Sequence, residues 1–180
     1  MRMLGIVVVI LVIAGLVGFA TYNGIVTKDE AIDSAWAQVE NVLQRRYDLI
    51  PNLVNTVKGY AKHEKELFEE ITRLRSQWSE AKGTDAKAQA ATQLEGALGR
   101  LMVVVERYPD LKASQNFIAL QDELAGTENR ISVERGRYNE AVRAYNTAVR
   151  RFPGNLFSFK KRDAYFEAEK ASAAAPKVEF

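Results

Sequence analysis

Between Arg2 and Lys28 the chain carries no charged residue, and residues 4–20 are almost all Val, Ile, Leu, Gly and Ala. With Phe19 and Tyr22 the stretch reaches the roughly 20 residues that a helix needs to cross a bilayer. A core helix of a soluble protein seldom stays apolar on every face for so long. Tyr22 and Asn23 suit the interfacial end of such a span. Residues 3–26 are therefore expected to form an anchor in the lipid bilayer. The rival reading is a cleaved signal peptide, because Gly18-Phe19-Ala20 offers a small-x-small site. Against it, the apolar run exceeds the about 7–15 residues usual for a signal core, and a single Arg precedes it. Positive charge flanks both ends, Arg2 on one side and Lys28, Arg45 and Arg46 on the other. The orientation is thus weakly specified, with a lean to the bulk of the chain lying outside the cytoplasm.

The rest of the chain repeats apolar residues at spacings of three and four, the period of a helix, and has no alternating run of the strand type. The first series is Ile32, Trp36, Val39, Leu43, Ile50, Leu53, Val57, Tyr60, Leu67, Ile71, Leu74 and Trp78, with Arg46 and Glu64 filling its gaps in phase. Gly83-Thr84-Asp85 supplies a stop and a new cap. A second series runs from Leu94 to Tyr108 and is stopped by Pro109. A third runs from Phe117 to Phe152 and is stopped by Pro153-Gly154. A short fourth helix is expected over residues 157–171. Pro51 either opens a new antiparallel helix or kinks one long helix. The apolar phase passes through it without a slip, which favours the kink. The expected fold is all-α: an N-terminal transmembrane helix, then a long antiparallel four-helix bundle over residues 27–172, then a tail over residues 173–180.

Charged residues in apolar positions are the most informative. Arg46 and Glu64 fall on the seam of the first helix, and Glu128 and Arg135 on that of the third. An unpaired buried charge is costly, so these four are expected to pair with one another and hold the helices in register. A carboxylate metal site is the competing reading. It fails its usual Glu-x-x-His pattern, since the single histidine, His63, follows Tyr60 at three residues. Neither a metal nor a cofactor is expected. Tyr138-Asn139 and Tyr145-Asn146 repeat at seven residues. The tyrosines fit core positions with their hydroxyls at the bundle edge. The adjacent asparagines could instead form a polar ladder that docks a partner helix.

Composition removes several functions. The absence of cysteine excludes disulfides, thiolate metal sites, a cysteine nucleophile and a lipoprotein anchor. A formal net charge of +2 with interspersed signs argues against nucleic-acid binding. No glycine-rich phosphate loop or nucleophile elbow is present.

The segment Gln44-Arg45-Arg46-Tyr47-Asp48-Leu49-Ile50-Pro51-Asn52-Leu53-Val54 resembles the signature of the LemA family of bacterial membrane proteins. The likeness continues through residues 57–61, His63 and Glu64. It resumes at Glu106-Arg107-Tyr108-Pro109-Asp110-Leu111-Lys112-Ala113 and at Thr127-Glu128-Asn129-Arg130-Ile131. Arg135, the two Tyr-Asn pairs, Phe152-Pro153 and the closing Pro176-Lys177-Val178-Glu179-Phe180 also fit. The resemblance implies an N-terminal anchor in the bacterial inner membrane, an antiparallel four-helix bundle and no known enzymatic activity. It implies a polar network drawn from Arg46, Asp48, Pro51, Asn52, Glu64, Glu106, Tyr108, Glu128, Asn129, Arg135, Tyr138, Asn139, Tyr145 and Asn146. Association with an HtpX-like membrane metalloprotease, or with magnetosome membranes, points to partner binding. The expected function is a non-catalytic adaptor or scaffold in envelope protein quality control or signalling. A self-assembling homo-oligomer that organises or shapes the membrane is the alternative, and a carboxylate metal enzyme the remotest.

Overall fold

The computed structural model describes residues 2–163, 165 and 166, and no strand occurs among them. Helix α1 spans Arg2–Asp48, α2 Ile50–Lys58, α3 Lys65–Glu80, α4 Thr84–Val105, the short α5 Pro109–Lys112, and α6 Gln115–Arg150. A 3-10 turn, Gly154–Leu156, follows. The first buried residue of α1 is Ile25. The stretch before it is long and apolar enough to cross a membrane, and none of its most apolar 18 residues is buried.

From Ile25 the buried positions of α1 recur at seven residues, through Ile32 and Val39, and the partly buried Arg46 continues the step. The buried face of α6 does the same through Phe117, Leu124, Ile131, Tyr138 and Tyr145. Two such stripes can stay in contact over many turns. They meet antiparallel: Arg46 reaches Leu124, Trp36 packs on Tyr138, and Ile25 meets Gly154 just past the end of α6. A second hairpin is made by α3 and α4, tied by Glu70–Arg100 at 2.7 Å and, beyond their ends, Glu64–Arg107 at 2.7 Å. Gly83 turns the chain between them with φ +83°, a conformation costly for any residue with a Cβ. The hairpins pack through Tyr47 on Trp78, with ring centroids 4.8 Å apart, and through Lys87 with Glu40 and Arg46 with Glu95. Their buried apolar residues form one core.

Pro51 leaves its mark one turn upstream. It has no N–H, so the carbonyl of Tyr47 four residues before it loses its helical partner. Arg75 of α3 supplies the missing donor, with Nε 2.9 Å from that oxygen. The regular helix is interrupted at Leu49, which still keeps helical angles of φ −79° and ψ −22°. Leu53 then donates to the Leu49 carbonyl at 3.0 Å. The chain continues in the same direction, because Leu53 lies beside Gln121 and Leu124 near the start of α6. The proline kinks the rod and does not reverse it.

Two expectations are corrected. The first series is not one helix to Trp78. The chain reverses over residues 59–64, and Glu64 stands at the N-terminal cap of α3, not on a seam. Its agreement with the apolar phase was coincidental, since a turn need not disturb a period of three to four. Nor is there a helix from Phe157: residues 157–163 are extended or irregular. The remainder of that expected helix beyond residue 166, and the tail at 173–180, lie outside the described residues.

Candidate functional site

Arg46 is the hub of a polar layer in the middle of the bundle. Its side chain is 11% exposed, and its Nη2 lies 2.9 Å from Glu95 Oε2 on α4. Nη1 lies 3.0 Å from Glu128 Oε2 on α6 and donates to the Leu124 carbonyl at 2.8 Å. Thr127 also donates to that carbonyl, at 2.8 Å. One guanidinium thereby ties α1 to both α4 and α6. Glu95 is 14% exposed, whereas Glu128 is 47% exposed at the rim. Burial raises the pKa of Glu95 above the ordinary carboxylate range, and Arg46 opposes that shift in part. Beside it Tyr47 is wholly buried, and burial holds its phenol neutral, with the Glu95 charge adding to the effect. Arg46 Nε, Tyr47 Oη, Trp78 Nε1, Glu95 Oε1 and Arg135 Nε are buried without hydrogen-bond partners among the described residues. Such groups are costly in a core.

The four seam charges do not form one set. Arg46 and Glu128 meet. Glu64 pairs instead with Arg107 at the far end of the bundle. Arg135 lies over the Phe166 ring at 5.1 Å and has no ion pair among the described residues. Glu95 was missed because it sits one step after the apolar Leu94. A signal existed, since it is the one acid between Asp85 and Glu106 in a stretch of Ala, Leu, Gly and Val. Elsewhere, Asp48 lies 3.5 Å from Arg75 and accepts from Gln44 at 2.8 Å. Glu106 lies 2.6 Å from Lys112. The half-buried Tyr108 accepts two backbone N–H groups at the start of α5. Asn52 and Asn129 are exposed, and neither side chain is hydrogen-bonded among the described residues. No cluster of three metal-ligating side chains occurs among those residues. Glu95 and the half-exposed Glu128 both pair with Arg46.

Above the polar layer, an open groove of about 430 Å³ runs between α4 and α6. Its floor is Arg46 with Glu95 and Glu128, and its walls are apolar or small, including Leu98, Gly99, Met102 and Ala125.

The Tyr-Asn pairs build a second arrangement. Tyr138 and Tyr145 are buried, as core positions require. Tyr145 Oη donates to the Lys160 carbonyl at 2.9 Å. Asn146 accepts from the Arg162 N–H at 3.0 Å and donates to the carbonyl of the same residue at 2.8 Å. Asn139 repeats the pattern on Phe166, both bonds at 2.9 Å. The asparagines do form a ladder, but it grips an extended segment of the same chain, not a partner helix. Each amide satisfies one residue's N–H and C=O, so the backbone groups of Arg162 and Phe166 need no helix to be paired. Side chains add to the grip: Arg162 meets Asp29 at 2.9 Å, and Phe166 stacks on Trp36 with centroids 5.7 Å apart.

The LemA family model matches residues 35–180. Magnetosome protein MamQ 2 of Paramagnetospirillum magneticum is 28% identical over 179 residues, covering 83% of this chain and 66% of that protein. Magnetosome protein MamQ of Magnetospirillum gryphiswaldense is 27% identical over 193 residues, covering 88% and 71%. Protein LemA of Metamycoplasma hominis is 25% identical over 144 residues, covering 79% and 65%. The chain thus spans about two thirds of the length of these relatives.

Proposed function

The chain belongs to the LemA family, and on that premise we propose that it is a non-catalytic, single-pass inner-membrane protein of a bacterium whose four-helix bundle is a docking scaffold for another protein. The bundle is taken to lie outside the cytoplasm. The observation that carries the reading is the groove between α4 and α6. Its apolar walls lie over a charged floor in which Arg46 pairs with two acids. Such a groove suits a protein surface with apolar anchors and one or two polar contacts. A carboxylate metal enzyme would need Glu95 and Glu128 as ligands, and Arg46 holds both. An adaptor in envelope quality control fits, and an HtpX-like membrane metalloprotease is the first partner to try. The test is photo-crosslinking from Gln121 in native membranes, with mass spectrometry of the products. One foreign protein, lost when Gly99 is replaced by a bulky residue, supports the reading. Crosslinks to lipid alone would refute it.

A second reading, self-assembly in the membrane, has one observation in its favour. Gly5, Gly15 and Gly18 have nothing within 4 Å of where a Cβ would stand, so a second anchor helix can approach them closely. Crosslinks only between copies of this chain would favour it.

A further inference from the structure

The end of the bundle nearest the anchor carries a surface that the scaffold reading does not use. At 1.5 Å per residue, the 20 residues from Met3 to Tyr22 span about 30 Å, the thickness of the hydrocarbon core. A span that begins at Met3 therefore leaves the hydrocarbon near Tyr22. At this level the turn after α6 wraps against α1. Tyr22 meets Phe157 and Phe159 with ring centroids 5.7 and 5.3 Å away. Ile25 Cδ1 lies 3.2 Å from where a Cβ on Gly154 would sit. On this turn two large apolar side chains point outward, Phe152 at 79% exposed and Leu156 at 70%. Around them Lys28, Arg150, Arg151, Lys160 and Lys161 are all exposed, and none forms an ion pair among the described residues. Among the described residues the acids at this end are Asp29 and Asp33, which face Arg162, together with the exposed Glu30 and Asp163.

We propose that this turn is a second membrane contact, with Phe152 and Leu156 seated at the boundary between headgroups and acyl chains and the five cations on anionic phospholipid headgroups. The inference rests on α1 spanning the membrane. The contact continues the one the anchor makes, and its charge matches an anionic leaflet. A single helix leaves a bundle free to rotate and lean. A second contact on one side of α1 fixes which face of the bundle looks along the membrane.

The natural sequence has no cysteine, so single spin labels can be placed cleanly on the full chain in vesicles. Asn155→Cys lies between the two apolar residues and leaves both in place. Ile10→Cys reports on the anchor, and Val103→Cys on the far end of the bundle. Collision with oxygen against collision with a water-soluble nickel chelate gives depth. In vesicles containing phosphatidylglycerol, the label at 155 is expected at interfacial depth, between the buried label at 10 and the aqueous label at 103. It should move towards water in purely zwitterionic vesicles, and also after Arg150→Glu with Arg151→Glu, Lys160→Glu and Lys161→Glu. A label at 155 as aqueous as that at 103, with 10 in lipid, overturns this inference and spares the anchor. A depth independent of lipid charge and of the four reversals overturns the headgroup contact. A label at 10 in water overturns the anchor itself.

Discussion

Replacing Arg46 by Met removes one charge and strands one acid. Arg46 and Met have similar reach, so packing changes little, while Glu95, at 14% exposed, loses its cation. Breaking a buried pair from one side costs about 3–5 kcal/mol. Glu128 is 47% exposed and is resolvated at little cost, within the about 0–1 kcal/mol of surface pairs. The expected loss is about 3–4 kcal/mol near neutral pH, or roughly 6–16 °C in Tm for a domain of this size. It should shrink in acid, where Glu95 takes up a proton. Arg46→Met combined with Glu95→Leu should recover most of the loss, because no buried charge then remains unpaired. Urea and thermal unfolding of the full chain in mild detergent measures this. The two tryptophans, Trp36 and the buried Trp78 against Tyr47, report on the bundle and not on the anchor. A single-variant cost under about 1 kcal/mol, or a double variant no better than the sum of its parts, would refute a buried ionic hub.

The other expectations follow from the same geometry. Glu95 has a folded pKa above its unfolded value, so the stability owed to its proton is full below the unfolded pKa and is lost as pH rises through the folded one. Urea midpoints across pH should therefore show Glu95→Gln gaining on the natural protein from the ordinary carboxylate range towards neutrality, and the opposite slope contradicts the burial argument. Asn139→Ala removes two hydrogen bonds to the segment and Asn146→Ala three, one of them to the Tyr165 hydroxyl, or about 1–3 and about 1.5–4.5 kcal/mol at about 0.5–1.5 kcal/mol per bond. Hydrogen exchange should show faster exchange at Phe166 and Arg162 with the α1–α6 core unchanged. A Cβ on Gly154 would strike the Ala148 carbonyl, a backbone atom that cannot swing aside, so Gly154→Ala should lower stability by about 1–3 kcal/mol. Arg75→Ala strands the Tyr47 carbonyl at a cost of about 1–3 kcal/mol, and Pro51→Ala, which restores the helical N–H, should remove most of that cost in a double-mutant cycle.

The periodic signals were legible because they are local. A helix repeats its buried face every three to four residues whatever it packs against, so the apolar spacing specified α1, α4 and α6, and the charge-free run before Lys28 specified a candidate span. Pro51 announced an interruption because its missing N–H is a property of one residue, but only the structure decided whether the chain kinks or reverses there. What the sequence could not carry was the identity of partners across the bundle. Arg46 advertises a buried cation, but Glu95, one step off its own helix's apolar series, becomes its partner only once α4 is laid alongside α1. Glu64 keeps the phase of a helix and yet caps a turn, because periodicity does not say whether the chain reverses. A helix was expected from Phe157, yet the backbones of Arg162 and Phe166 bond instead to the Asn146 and Asn139 side chains on α6. Sequence by itself determined which faces are buried; only the tertiary structure decided which buried polar groups meet, because a hydrogen bond or ion pair depends on a distance between residues that are far apart in the chain.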